Sequence, residues 1–425
     1  MLEFLDQIGI DIWLTIAAVL VSAVILFFSY RKFIVSIFDP LCMFVLILVA
    51  DSALMFGLPW SSSLRWEFVG FVIFFWAGFS LRGRSRRKGA VISFDRRSLF
   101  ELELSLLILC FIIVAANIYL GLSTGFPLLS SHPSESKVTI YTGGLGLVRR
   151  INMGPYLFFC SGCMLLIISG HKSRLVLISF CLVTGLVGLN GSKGVMLPGI
   201  YAAGFMLAHR GLARSDSFKA RAKRYLFILL AVGVTVALLV TTKDQGSLSG
   251  GISNFVLRFL LAGDVILYYM PRREDISALM HSWSYLHYLF GDVLGMLRIS
   301  SYPQALGSVI LGSDEGFGPN PQFFIQADLF FGPAIGLFYS LILGYVVSWL
   351  RRDFFDRTDT SALLFAFKLM LAVSALDLAI DSGEFVVDVV GACLFVIPAW
   401  LFSHLAWISL KKVPRNFSPI SAFLR

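Results

Sequence analysis

The chain has 425 residues, of which 57% are hydrophobic, 14% aromatic and only 14% charged. Soluble globular proteins carry about 25% charged residues, so a soluble enzyme, a coiled coil, a nucleic-acid module and a disordered chain are excluded. The 35 Lys+Arg outweigh 26 Asp+Glu for a net charge of +9. In the polytopic inner-membrane protein that this composition specifies, such a surplus reports cytoplasmic loops.

Crossing the bilayer core takes roughly 20 apolar residues as a helix. Reading the chain for such runs predicts eleven spans, at 12–29, 40–57, 66–81, 104–121, 151–169, 175–189, 195–209, 225–241, 324–349, 363–380 and 385–408. The predicted fold is all-α, a single integral membrane domain over 1–425. Residues 1–11 hold Glu3, Asp6 and Asp11 and no Lys or Arg, so no cleavable signal is expected, since signals start basic. The sixth and seventh runs are short and joined by Asn190-Gly191-Ser192-Lys193-Gly194, which predicts a helical hairpin. Cys42, Cys110, Cys160, Cys163, Cys181 and Cys393 all lie in apolar runs and read as small packing residues.

Loop charge sets the orientation. One alternating set of loops holds 24 Lys and Arg, including Arg31-Lys32, the cluster from Arg82 to Arg97, and the stretch from Arg210 to Arg224. The other set holds 10, with Lys368 inside a span. The richer set is assigned to the cytoplasm, which places the N-terminus in the periplasm and the C-terminus in the cytoplasm. Two long segments then face the periplasm, 121–150 and 242–323. The second includes Gly251–Met270, an apolar stretch broken by Arg258 and Asp264, expected to be an amphipathic or re-entrant helix rather than a span.

Several cations on the outward face run against this bias: Arg149, Arg150, Lys193, Lys243 and Arg258. Each could snorkel or pair with an acid. Together they could equally form a pocket for a lipid-linked phosphate or diphosphate, which guanidiniums bind bidentately. Acids also collect outside, at Asp314-Glu315 in a Gly/Pro-rich bend and at Asp377, Asp381 and Glu384 around the last outer turn. Aromatics such as Trp283 and Tyr285 can stack on sugar rings or form an interfacial belt. The segment 188–193 lacks the adjacent Gly-Lys-Ser/Thr of a phosphate loop, and no metal-binding spacing is evident.

The stretches Gly316-Phe317-Gly318-Pro319-Asn320-Pro321 and Ala327-Asp328-Leu329-Phe330-Phe331-Gly332-Pro333 resemble the O-antigen polymerase (Wzy-type) family of oligosaccharide repeat-unit polymerases. So do Gly125-Phe126-Pro127-Leu128-Leu129 leading to Arg149-Arg150, and the Asn190–Gly194 turn. The resemblance implies a bacterial inner-membrane glycosyltransferase that joins undecaprenyl-diphosphate-linked oligosaccharides on the periplasmic side. On that expectation Arg149, Arg150, Lys193, Lys243 and Arg258 hold diphosphates. One of Glu315, Asp264 or His281 deprotonates or orients the acceptor hydroxyl, and Asn320, Trp283 and Tyr285 position sugars. The activated donor is the lipid diphosphate itself, so no cofactor, metal or nucleotide sugar is expected. Expected partners are the lipid-linked oligosaccharides, membrane lipid and a chain-length regulator protein, with no nucleic acid. Two alternatives stay open: an O-antigen ligase, which would carry a His where this chain has Pro319 before Asn320, and a lipid-linked oligosaccharide transporter or flippase.

Overall fold

The structure is a computed structural model that describes residues 12–82, 92–131, 133, 136, 150–171, 173–190, 194–209, 211–212, 215–253, 265–279, 285–291, 293, 322–356 and 361–412. Among these residues every regular element is helical. In chain order they are α1 (Ile12–Tyr30), α2 (Pro40–Gly57), α3 (Ser62–Leu81), α4 (Arg96–Thr124), α5 (Gly154–Ser169), α6 (Arg174–Leu189), α7 (Leu197–Ala208) and α8 (Asp216–Gln245). Then follow three short helices, α9 (Val265–Tyr269), α10 (Arg273–Leu279) and α11 (Tyr285–Gly291). The chain continues through α12 (Phe323–Asp356), α13 (Ala362–Ser374), the single turn α14 (Asp377–Ile380) and α15 (Ser382–Lys412).

Eight stretches, in α1–α4, α8, α12, α13–α14 and α15, are long and apolar enough to cross a membrane. The protein is therefore a membrane-embedded helical bundle. The three remaining apolar runs are the shorter α5, α6 and α7. With 12 residues, α7 rises only about 18 Å, well short of a hydrocarbon core of about 30 Å. Protein encloses it instead: Ala202, Ala203, Phe205 and Met206 are fully buried.

Local chemistry fixes the helix starts. Asp39 caps α2 by accepting the Leu41 N–H at 2.9 Å, with Pro40 in the first helical position where its missing N–H costs nothing. Asp95 caps α4 through the Ser98 N–H at 2.7 Å. That cap lies nine residues before the predicted run at 104, because hydropathy marks the apolar core of a helix and not its polar first turns. In α12, predicted as one span, Gly332 has φ +68° and ψ 178° and Pro333 follows it. Only glycine adopts that backbone readily, so α12 is broken there into a short outer part and a long inner part.

The helix at the centre is α5, with fourteen of its 16 residues buried. It packs against α4, α6, α7, α13 and α15. The hairpin expected at the sixth and seventh runs is corrected here: α6 packs mainly on α4 and α5, and α7 on α5 and α8, rather than on each other. What contact they share is slight, through Gly199 of α7 beside the Phe180 ring of α6. A second core lies around α1, α2, α3 and α12. Its tightest seam is α3 against α12, where a Cβ on Gly78 would meet the Leu341 O and one on Gly344 the Phe75 O, both at about 2 Å. The outer face of α1 is lipid-facing in character, with Leu20, Val24 and Phe28 each more than half exposed. All six cysteines are free thiols, and Cys160 and Cys163 are fully buried in α5.

Contacts between helix ends keep the two loop sets apart. At the basic end Arg351 of α12 makes a bidentate ion pair with Asp39 (2.7 and 2.8 Å), both buried. The Arg351 guanidinium also lies over Phe205 of one core and Phe79 of the other, at 5.3 and 5.9 Å. At that same end Arg97 and His404 converge on Glu101. The opposite end is joined by Tyr156 to Val195 and Lys243 to Leu128.

Candidate functional site

The site is built at the end of the bundle opposite the basic one, where the two long segments begin and finish. Lys243, in the last turn of α8, donates to the Leu128 O at 2.7 Å, tying the start of one segment to the start of the other. Arg150, just before α5, donates from Nη1 to the Val293 O at 3.1 Å. The end of the first segment is thereby fastened to the second, next to α11. Among the described residues neither Arg150 nor Lys243 has a carboxylate partner. A cation held by a carbonyl keeps its full charge for an anion.

Arg273 at the same end is different. It lies between Glu67 of α3 and Asp328 of α12, and Tyr269 donates to the other oxygen of Asp328 at 2.9 Å. These two acids hold the Arg273 guanidinium in its charged form against the cost of burial, with its pKa above the ordinary value. Its charge is neutralised, so it fastens α10 to the bundle.

Three asparagines set the position of the cation-bearing segments. Asn117 lies towards the end of the apolar part of α4, Asn152 two residues after Arg150, and Asn190 three residues before Lys193. Asn117 Nδ2 donates to Asn152 Oδ1 at 2.7 Å, and Asn152 Nδ2 donates back to Asn117 Oδ1 at 3.0 Å. Asn190 donates to the same Asn117 oxygen. Asn117 and Asn190 are buried. A few residues further on, the Tyr156 hydroxyl donates to the Val195 O at 2.6 Å. Buried amides of this kind are costly unless paired, so Asn152 and Tyr156 on one side are held in register with Asn190 and Val195 on the other.

The start of α15 carries a second polar cluster. Tyr339 donates to Gln326 Oε1 at 2.6 Å, Ser382 Oγ lies 2.6 Å from the same oxygen, and Tyr285 OH lies 2.9 Å from Tyr339 OH. Tyr288 donates to Asp381 Oδ1 at 2.7 Å, and that oxygen also accepts the Glu384 N–H. Burial pushes the Tyr285 and Tyr288 hydroxyls up, and Asp381 adds to the shift in both; each remains a neutral donor at physiological pH. The kink at Gly332 places Phe330 on the outer part of α12, where it stacks on Tyr288 with centroids 5.2 Å apart. Close by, α5 and α15 meet backbone to backbone, since a Cβ on Gly154 would meet the Asp388 O at 1.7 Å. One Asp388 oxygen is buried without a hydrogen-bond partner among the described residues.

Of the cation, acceptor-activating and sugar-positioning residues named in the sequence, the structure describes Arg150, Lys243 and Tyr285, and it also describes the outer acids Asp377, Asp381 and Glu384. Arg150 is fastened just beyond the end of α11, and Tyr285 lies at the start of that helix. Tyr285 does not present an open ring: Phe330, Phe331 and Tyr339 pack edge-on to it at 5.2–5.5 Å. Arg149, Lys193, Arg258, Asp264, His281, Trp283, Glu315 and Asn320 lie outside the described residues, as does most of the helix expected at Gly251–Met270. Sequence reasoning passed over Asn117, Asn152, Gln326, Tyr339 and Ser382, and read Asn190 only as part of a turn. Their signal was a polar side chain in or beside an apolar run, which in a membrane protein marks an interior contact.

No family model, curated protein or solved structure matches the chain.

Proposed function

We propose that the protein is a polymerase of lipid-linked oligosaccharide repeat units in the bacterial inner membrane, with its chemistry on the periplasmic face. The growing chain leaves its undecaprenyl diphosphate and is transferred to a hydroxyl of a new lipid-linked unit. The observation that supports this most is the fastening of Arg150 to Val293 O with no neutralising acid among the described residues. It sets a fully charged guanidinium where both long segments meet. A diphosphate leaving group needs such a donor as its negative charge develops.

Arg150 and Lys243, with Arg149, Lys193 and Arg258, hold the diphosphates in this reading. One of Glu315, Asp264 or His281 serves the acceptor hydroxyl, and Asn320 and Trp283 orient sugars, while the enclosed Tyr285 supports the wall behind them. A flippase is the second reading, and the buried carboxylate of Asp388 speaks for it. A deletion strain separates the two. Lipopolysaccharide that keeps one repeat unit but loses its ladder supports the polymerase; loss of all repeats supports the flippase or the ligase.

A further inference from the structure

At the basic end, far from the proposed site, a cavity of about 490 Å³ opens between the start of α4, the α5–α6 turn and the start of α8. Its wall is amphipathic: Phe94, Leu212 and Phe218 on the apolar side, His171, Ser215 and Arg221 on the polar side. Arg221 is held edge-on by two carbonyls, Nε to Ile168 O at 2.9 Å and Nη2 to Ser169 O at 3.3 Å. Its guanidinium lies flat against Gly170, at φ +84°, where a Cβ would come within 2.9 Å of it. Its Nη1 has no hydrogen bond to a described residue. His171 lies 2.7 Å from Glu103, while Asp216 is fully exposed and paired with Lys219. Arg174, Lys223 and Arg224 are exposed around it.

Beyond the cavity the helix surfaces are those of a lipid-facing wall, with Leu175 and Ile178 on α6 and Phe227 on α8 exposed at 45%, 61% and 73%. A ligand seated here meets cations at its head and apolar surface along its tail. We propose that this cavity binds the phosphodiester headgroup of an anionic phospholipid from the leaflet at the basic end. The phosphate sits on Arg221 and His171, and the acyl chains run along α6 and α8. Anionic lipid is enriched in a cytoplasmic leaflet and drawn to clustered Lys and Arg. The site stands independently of the proposed glycan chemistry.

The test uses the purified full-length protein in nonionic detergent. Native mass spectrometry measures retained phosphatidylglycerol and phosphatidylcholine, and thermal unfolding is followed with each lipid and with inorganic phosphate. Wild-type protein should retain phosphatidylglycerol in preference, and Arg221→Gln should weaken that retention about fivefold or more. Because Arg221 also caps α5, Ser215→Trp is the control: it fills the cavity from an exposed position without touching Arg221. It should lose phosphatidylglycerol to the same degree at an unchanged lipid-free unfolding midpoint. Equal retention of the two lipids by wild-type protein overturns the proposal. So does wild-type retention by a folded Ser215→Trp variant, or thermal protection by inorganic phosphate alone equal to that of the lipid.

Discussion

Arg150 Nη1 donates to the backbone oxygen of Val293 at 3.1 Å, across 143 positions of sequence. The contact is neutral on one side, so the guanidinium is positioned without losing its charge. If it holds a diphosphate bidentately, Arg150→Lys should impair polymer formation nearly as much as Arg150→Ala, because an ammonium is only a point charge. A lost charge-assisted hydrogen bond corresponds to a drop of about 10–100-fold. Polymer length profiles on gels check this, and a normal ladder from the Lys variant would reduce Arg150 to an anchor.

The asparagine triad makes a graded prediction. Asn117 is the hub, accepting from both Asn152 and Asn190 and donating to Asn152. Asn117→Ala leaves those buried groups unpaired, at a cost of about 1–3 kcal/mol. Asn190→Ala removes one donor and should cost less. Thermal unfolding in detergent ranks the two, and a larger loss for Asn190→Ala would contradict the hub.

At the basic end, Arg351→Ala strands the buried Asp39 carboxylate and should cost about 3–5 kcal/mol. Replacing both partners, Asp39→Leu with Arg351→Met, should recover most of that loss. It should not recover all of it, because Asp39 also caps α2, and a lost cap costs about 1 kcal/mol. Stability of the two single variants and the double variant, measured in one detergent, decides this. A double variant no better than Arg351→Ala alone would mean that the pair does more than neutralise itself.

His171 carries a pH dependence. Its hydrogen bond to Glu103 raises its pKa above the ordinary 6.5, against the opposing effect of burial. A raised folded pKa contributes stability that is complete below the unfolded value and is lost as pH rises through the folded one. The advantage of wild-type over His171→Gln should therefore be greatest at mildly acidic pH and shrink above about pH 6.5. Unfolding midpoints across that range test the sign, and an advantage growing towards alkaline pH would refute the pairing.

Most of the architecture was legible in the sequence. The run at 40–57 matches α2 to the residue because Asp39 and Pro40 write its start in the sequence. The run at 225–241 understates α8, which extends from Asp216 to Gln245, because its polar ends carry Lys and Arg that hydropathy discards. The break in α12 was written as Gly332-Pro333 but passed over within an apolar run. The site was only partly legible. Arg150, Lys243 and Tyr285 stood out by charge or aromaticity against their surroundings. Gln326, Tyr339 and Ser382 did not, since a polar residue in a span says that it faces the interior but not which partner it meets 13 or 56 positions away.

The most direct measurement is polymerisation by the purified protein in detergent, given lipid-diphosphate-linked repeat units with chelator and without nucleotide or membrane potential. The diphosphate is already activated, and the charges proposed to stabilise its departure are side chains. The proposal predicts a ladder of longer lipid-linked chains from wild-type protein that is lost with Arg150→Ala. Single units left unchanged by wild-type protein in detergent, with the same protein moving them across the bilayer of sealed vesicles, would contradict it and make the protein a transporter.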